Sequence, residues 1–154
     1  MNRRHVIGII FTLSMVTSCG TTNTVKQAIP VASDGNLYQI ADISATADVP
    51  EKFKSNLRKY LEKDLKKRGV FADGAGSHTV SVKITEFKMS TGVSRILLGG
   101  LSGADYVKAQ VTVLEKASNQ VVGDTTIESK DKLASGGPEL FTSYHAKAIS
   151  EFLQ

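Results

Sequence analysis

The residue with the most distinctive chemical setting in this sequence is Cys19, the single cysteine. It directly follows one apolar residue and two small ones, Val16–Ser18, at the end of a mostly apolar run over residues 6–16. Arg3 and Arg4 precede that run, as positive residues do in a secretory signal. A run of about 11 residues is too short to cross a bilayer as a helix, which takes roughly 20. The pattern therefore predicts a signal peptide that ends immediately before a thiol.

The segment Val16-Thr17-Ser18-Cys19 resembles the lipobox of bacterial lipoproteins. The resemblance implies that residues 1–18 are removed and that Cys19 receives a diacylglycerol thioether and usually an N-acyl chain such as palmitate. Several acyl chains, at about 0.8 kcal/mol per buried methylene, anchor a protein stably. The next residue, Gly20, is not the aspartate that retains lipoproteins in the inner membrane. The resemblance thus implies the periplasmic face of the outer membrane, or the plasma membrane in a Gram-positive cell. The alternative is an ordinary secreted protein with a chance cysteine.

Length and composition indicate a single domain and argue against nucleic-acid binding, disulfides and cysteine-based zinc sites. Removal of residues 1–18 leaves 136 residues, which suffice for one domain and a short lead-in. It also leaves 17 basic against 15 acidic residues, a balance that does not suggest nucleic-acid binding. With Cys19 lipidated, the fold has no disulfide and no cysteine-based zinc site.

The chain divides into a lead-in and one predicted domain. Residues 19–35 are rich in Thr, Ala, Ser and Asn, and we interpret them as the lipidated cysteine followed by a flexible tether. Residues 36–154 alternate between strand and helix patterns. We expect a strand over 36–44, a helix that follows Asp48 as its N-cap, has Pro50 in its first turn and continues to about Arg68, strands over 78–89, 106–114 and 120–130, and a final helix opened by Pro138.

Apolar spacing predicts which residues are buried. The first helix has a stripe at every fourth residue and should end at Gly69. In the strand over 78–89 the apolar residues change face, which predicts a β-bulge near Thr85 or Glu86. The expected stripes are Phe53, Leu57, Leu61 and Leu65 in the first helix, and Phe141, Tyr144, Ala148, Ile149 and Phe152 in the second.

These elements predict an α+β fold, a two-layer sandwich in the order β-α-β-β-β-α. The sheet would have about four strands, mixed or antiparallel, with both helices on one face. The last three strands would form a meander, and the first would insert beside one of them after the helical crossover.

Two stretches could contact a partner. Residues 90–103 are apolar and glycine-rich but match no phosphate loop or dinucleotide fingerprint. They could be a long connection whose leucines fold onto the core, or an apolar loop that docks on a membrane or partner. Arg95 could bind a carboxylate or phosphate, or could satisfy loop carbonyls. The first helix is strongly basic, which favours either a solvated face or a surface for anionic head groups. The candidate contact residues are Arg95, Ile96, Leu97 and Leu98.

The region from Gly92 to Gly123 resembles the lipoproteins of domain of unknown function family 4410. The resemblance is carried by Gly92, by Arg95 with the apolar triplet that follows it, by the alternating strand to Val113, and by the helix end at 66–71. The family has no assigned activity, so the resemblance implies fold and location only.

Catalytic signatures are absent from the sequence. The mature chain has two histidines, His78 and His145, without metal-ligand spacing or a nucleophile elbow, and we interpret both as structural. Asp105, Asp124 and Glu128 could share one end of the sheet, but their separation decides whether they could act as an acid–base pair.

We therefore expect a lipid-anchored envelope lipoprotein that is not an enzyme, has no metal or cofactor, and acts as a periplasm-facing binding or accessory module. Its partners would be the membrane, through Cys19, and an envelope protein or lipid. Two alternatives stay open. One is an envelope hydrolase with a site assembled from scattered residues; the other is a structural lipoprotein that forms homo-oligomers along a sheet edge.

Overall fold

Alternating apolar residues in the second half of the chain build the centre of a sheet. The computed structural model describes residues 20–30, 35–89, 104–131 and 137–154, and this part of the chain forms five strands and two helices. They are β1 (Gly20–Gln27), β2 (Tyr38–Ala45), α1 (Glu51–Lys67), β3 (His78–Lys88), β4 (Asp105–Glu115), β5 (Gln120–Asp131) and α2 (Gly137–Phe152).

The strand order across the sheet is β1-β5-β4-β3-β2. Strands β3, β4 and β5 form the predicted antiparallel meander, and β2 lies parallel to β3 after the crossover through α1. The α+β architecture is confirmed, but the expectation of four strands is wrong. The fifth strand, β1, pairs antiparallel with β5 and lies within residues 19–35, where the sequence predicts a flexible tether.

The sequence conceals β1 because none of its side chains is buried. All eight of its residues are exposed, so no apolar alternation marks it. What it offers instead is a β-branched composition, with threonine at positions 21, 22 and 24 and Val25 beside them, which suits an extended backbone.

The two helices lie side by side on one face of the sheet and run in the same direction. Each begins where a strand has just reached one end of the sheet, which we call the upper end. At this end β1 begins at Gly20, β3 ends at Lys88 and β4 begins at Asp105; the opposite, lower end contains His78 and Glu115. Among the described residues, neither helix is long and apolar enough to span a membrane.

The predicted C-terminal end of α1 is confirmed, whereas its predicted N-cap is not. Its four-residue stripe is buried as predicted, and Gly69 follows the helix with a φ of 74°. The amide of Gly69 donates to the Lys66 carbonyl and that of Val70 to the Leu65 carbonyl, each at 3.1 Å, which is a Schellman motif. The predicted N-cap is wrong: the helix starts at Glu51 after Pro50, without a side-chain cap.

The apolar stripe of α2 also needs one correction. Four of its five predicted residues are buried, but Tyr144 is 45% exposed. Its expected place in the core is taken by His145, which has no exposed surface. Position 145 lies one full turn from both Phe141 and Ile149, in the middle of the buried face, whereas position 144 lies at its border. The predicted bulge in β3 is confirmed between Ile84 and Glu86.

We predict that Gly76→Ala destabilises the domain by about 1–3 kcal/mol, the usual cost of overpacking. A β-carbon at Gly76 would lie 2.8 Å from the carbonyl oxygen of Leu37 and 3.1 Å from the amide of Gln39, both in the rigid backbone at the start of β2. Urea unfolding of the two proteins measures the change. Gly20→Ala is the matched control, because its β-carbon would meet no atom within 4 Å. Equal stability of both variants would contradict the close approach.

Candidate functional site

The residues that the sequence singles out lie outside the described ranges, but their neighbours locate them along the chain. Cys19 immediately precedes Gly20, the first residue of β1. Arg95, Ile96, Leu97 and Leu98 belong to the segment 90–103, which leaves the described chain at Met89 and rejoins it at Ala104. Gly20, Met89 and Ala104 are all at or beside strand termini at the upper end.

An apolar cavity of about 590 Å³ opens at the same end. It lies between the first turns of α1 and α2 and the end of β3, and its volume is within the range of small-molecule sites. Its described lining consists of Pro50, Lys52, Phe53, Asn56, Phe87, Met89, Gly137, Pro138, Glu139 and Thr142.

The β-bulge gives this cavity its apolar wall. Without the bulge, the face that carries Ile84 would continue with Glu86. The extra residue turns Phe87 towards the helices instead, where its ring meets that of Phe53 edge-on, with centroids 4.9 Å apart. Met89 follows on the same side and also packs against the core. The bulge in β3 therefore places the apolar side chains of Phe87 and Met89 in the wall of the cavity.

Two buried carboxylates also lie at the upper end. Asp105 and Asp131 are directly opposite each other on β4 and β5, and both are at least 94% buried. Each of them interacts with other groups of the protein. Sequence reasoning had grouped Asp105 with Asp124 and Glu128, but the structure separates them, because Asp105 points to the helix-covered face and the other two to the open face.

The open face of the sheet carries a small network of charges. Lys108 donates to Glu86 at 3.0 Å, and Lys130 approaches Glu128 at 2.7 Å and the Tyr106 ring at 5.2 Å from its centroid. Desolvation, with the charges of Glu128 and Glu86, raises the pKa of Tyr106 to about 12. This network consists of exposed or half-exposed pairs that contribute little stability individually.

His78 and His145 are both buried. His78 lies at the lower end, where Nδ1 is 2.9 Å from the Ser77 hydroxyl and the ring lies near Tyr38. The Nδ1 atom of His145 is 2.8 Å from the Ser129 hydroxyl, while its Nε2 has no hydrogen-bond partner among the described residues. Complete burial lowers the pKa of His145 to about 4, so this imidazole is neutral near pH 7.

The Ser129–His145 pair is a structural link rather than a nucleophile with its base. Both residues are buried, His145 completely and Ser129 to 98%, so no substrate could reach the hydroxyl. The Ser129 hydroxyl also lies 3.3 Å from that of Thr21, which extends the link from α2 through β5 to β1. Among the described residues, no group of three or more His, Cys, Asp and Glu side chains could hold a metal ion.

A cluster of basic residues lies at the C-terminal end of α1, away from the cavity. Lys66, Lys67 and Arg68 lie at the lower end, where they also complement the C-terminal end of the helix dipole. Nearer its start, Arg58 donates to the carbonyl oxygens of Ile40 and Ala41 and thereby binds β2 at the sheet edge. At least one cation of this helix therefore has a structural role.

The family match covers most of the folded region. The family described as domain of unknown function DUF4410 matches residues 24–136. The chain belongs to this family. The match begins inside β1 and ends just before α2, so it includes the second half of β1 and all of the other four strands. No curated protein matches the chain.

Solved structures of other proteins share this fold. A PelC dodecamer from Paraburkholderia phytofirmans, determined as a point variant, has 20% sequence identity and a TM-score of 0.62, and the match covers 86% of this chain and 98% of that one. A second PelC dodecamer gives 18% identity with the same coverage and TM-score. A Xanthomonas campestris protein of family DUF330 has 12% identity and a TM-score of 0.55, over 91% of this chain and 95% of its own. The TM-scores show a shared fold, and at these low identities they show no more than that.

We predict that stability falls as the pH drops from about 6.5 to 4, because the unfolded chain binds a proton at His145 that the folded protein resists. A pKa lowered from 6.5 to about 4 corresponds to about 3 kcal/mol at 1.36 kcal/mol per unit. Stability from this group is complete above pH 6.5. Urea unfolding of the wild type and of His145→Gln at pH 7, 6, 5 and 4 measures it. The difference between the two proteins should shrink with falling pH; a constant difference would contradict the neutral, buried imidazole.

Proposed function

We propose that this protein is a lipid-anchored lipoprotein of the cell envelope whose domain acts as a non-enzymatic binding or accessory module. The observation that carries the proposal is that the sheet begins at Gly20, one residue after the cysteine of the lipobox-like segment. A lipid on Cys19 would attach the membrane directly to a strand of the folded domain. The sequence then needs no further membrane segment to hold the domain at a bilayer.

The chemistry of the cavity supports binding over hydrolysis. Its described walls are mainly the apolar groups of Phe53, Phe87 and Met89, which suit a hydrophobic ligand. Hydrolysis needs a nucleophile or an activated water beside a positioned base. Of the two Ser–His pairs among the described residues, Ser129–His145 is sealed inside the domain, and Ser77–His78 lies at the lower end, away from the cavity.

The proposed location is the periplasmic face of the outer membrane. It rests on Gly20, which stands where an aspartate would favour retention in the inner membrane. A plasma-membrane location is the corresponding proposal for a Gram-positive cell.

Metabolic labelling tests the anchor directly. Cells that produce the full-length protein are fed an alkyne analogue of palmitate, and the wild type is compared with Cys19→Ala. We expect label in the wild type, its loss in the variant, and wild-type protein in the outer-membrane fraction.

Ser18→Ala is the matched control, since it keeps a small residue before the cysteine and should retain the label. An unlabelled wild type that is secreted in soluble form would overturn the proposal. Label together with recovery in the inner-membrane fraction would overturn only the location.

Self-assembly is a second candidate function. It is favoured by the exposed edge strand β1 and by the oligomeric structures that share the fold. The fold matches PelC structures that are dodecamers, over most of both chains. In addition, β1 is an edge strand with eight exposed residues, and Val25 is 48% exposed. An edge of this kind, without proline, can pair with a strand of another chain. The proposed occupant of the β1 edge is a second copy of this protein.

We predict that Thr22→Lys combined with Thr24→Lys reduces the assembly of the full-length protein in detergent, because lysines on an edge strand oppose strand addition. Multi-angle light scattering measures the protein mass. The control replaces Thr79 and Ser81 by lysine, on the same open face but in β3, inside the sheet. A wild type that is monomeric at all concentrations, or equal masses for both double variants, would contradict assembly through β1.

A further inference from the structure

We propose that the upper end of the domain faces the bilayer and that its apolar cavity takes one acyl chain of a membrane phospholipid. This inference rests on the proposed anchoring through Cys19 and goes beyond it, because an anchor alone says nothing about which surface meets the membrane. The observations that carry it are the place where the chain joins the sheet and the chemistry of the surface found there.

The register of β1 fixes the attachment point. Gly20 pairs with Lys130, next to the last residue of β5, so the chain joins the sheet at its upper end. Consecutive Cα atoms are about 3.8 Å apart, so Cys19 lies within one such step of the end of the sheet. A lipid on Cys19 therefore holds the upper end, and not the lower one, at the membrane surface.

The cavity lies within reach of the same bilayer. Strand β3, whose end lines the cavity, is separated from β1 by β5 and β4, which corresponds to about 14 Å at 4.8 Å between strands. Both belong to one end of one sheet, so a bilayer that contacts the start of β1 also meets the cavity.

The surface around the cavity is suited to lipid. Pro50 and Pro138 are exposed at its rim, and Leu140, in the first turn of α2, is 42% exposed. Inside, Phe53 and Phe87 provide aromatic walls. At the rim, Lys52 is exposed and offers a cation to a lipid phosphate, while the carboxylate of Glu139 lies nearby. Apolar depth with a polar rim corresponds to the two parts of a phospholipid.

Tryptophan fluorescence tests the inference, because the natural chain contains no tryptophan. Phe87→Trp reports from the cavity, Leu140→Trp from the exposed surface of the upper end, and Phe71→Trp from the lower end, next to the start of β2. The full-length variants are purified from membranes and reconstituted into vesicles of phosphatidylethanolamine and phosphatidylglycerol. A fraction of the lipid carries bromine on its acyl chains, and bromine quenches tryptophan on contact.

We expect brominated acyl chains to quench Phe87→Trp and Leu140→Trp and to leave Phe71→Trp unchanged. Quenching of Leu140→Trp alone would overturn the acyl-chain site, since the upper end would then meet the membrane with the cavity closed to phospholipid or filled by a chain of the protein's own anchor. Quenching of Phe71→Trp alone would overturn the orientation. Equal quenching of all three would also overturn it, because the domain would have no preferred face.

Two controls keep the outcomes distinct. Far-UV circular dichroism and thermal unfolding verify the fold of each variant, and Met89→Trp, half-buried at the end of β3, replaces Phe87→Trp if that variant unfolds. Palmitate labelling of each preparation reports on the anchor separately. Labelled, vesicle-bound protein without quenching at the cavity would overturn this inference and leave the proposed function intact, whereas unlabelled protein that stays off the vesicles would overturn both.

Discussion

The hydrogen bonds that hold β1 on the sheet fix the position of Gly20 and, under the proposed anchoring, determine how the domain is presented to a membrane. This strand has no buried apolar side chain, so its pairing depends on the backbone ladder and on two buried hydroxyl groups of β5. The Thr125 hydroxyl is 3.0 Å from the Thr24 carbonyl oxygen and also contacts the Asn23 side chain, and Ser129 links Thr21 to His145 in α2. Because these groups are desolvated, losing one partner costs more than an exposed hydrogen bond would. Without these hydrogen bonds between β1 and β5, residues 20–27 would be the flexible tether that their composition suggests.

The same end of the domain collects several features that are distant in sequence. Both helices start there, the β3 bulge turns Phe87 and Met89 inward there, and Asp105 faces Asp131 there. The common cause is topological: each helix follows a strand that runs upward, so the two helices must be parallel and their first turns adjacent. The site is therefore a product of connectivity, with each segment contributing a few residues.

The sequence predicted the elements whose apolar residues recur at a regular spacing because one face is buried. It missed the features that have no such spacing. The stripe of α1 and the bulge of β3 were readable because apolar residues must face the core, and a change of face requires an extra residue. Strand β1 was not readable, since this edge strand buries none of its side chains. His145 was passed over for Tyr144 because hydropathy does not anticipate a neutral, buried imidazole. The cavity joins residues from three segments and has no local pattern at all. The anchor at Cys19 and the contact role of Arg95 stay predictions.

Under the proposed anchoring, the start of β1 at Gly20 also limits how far the domain can lie from its membrane. A flexible lead-in of 15 residues could extend about 50 Å and would let the domain search a deep layer above its membrane. A strand in its place removes that freedom. The lower end, at His78 and Glu115, is separated from the upper end by the 11 residues of β3, which span about 36 Å at 3.3 Å per residue. Under the proposed anchoring, a partner would have to meet this protein inside that thin layer, as a membrane neighbour or as a molecule that comes to the surface.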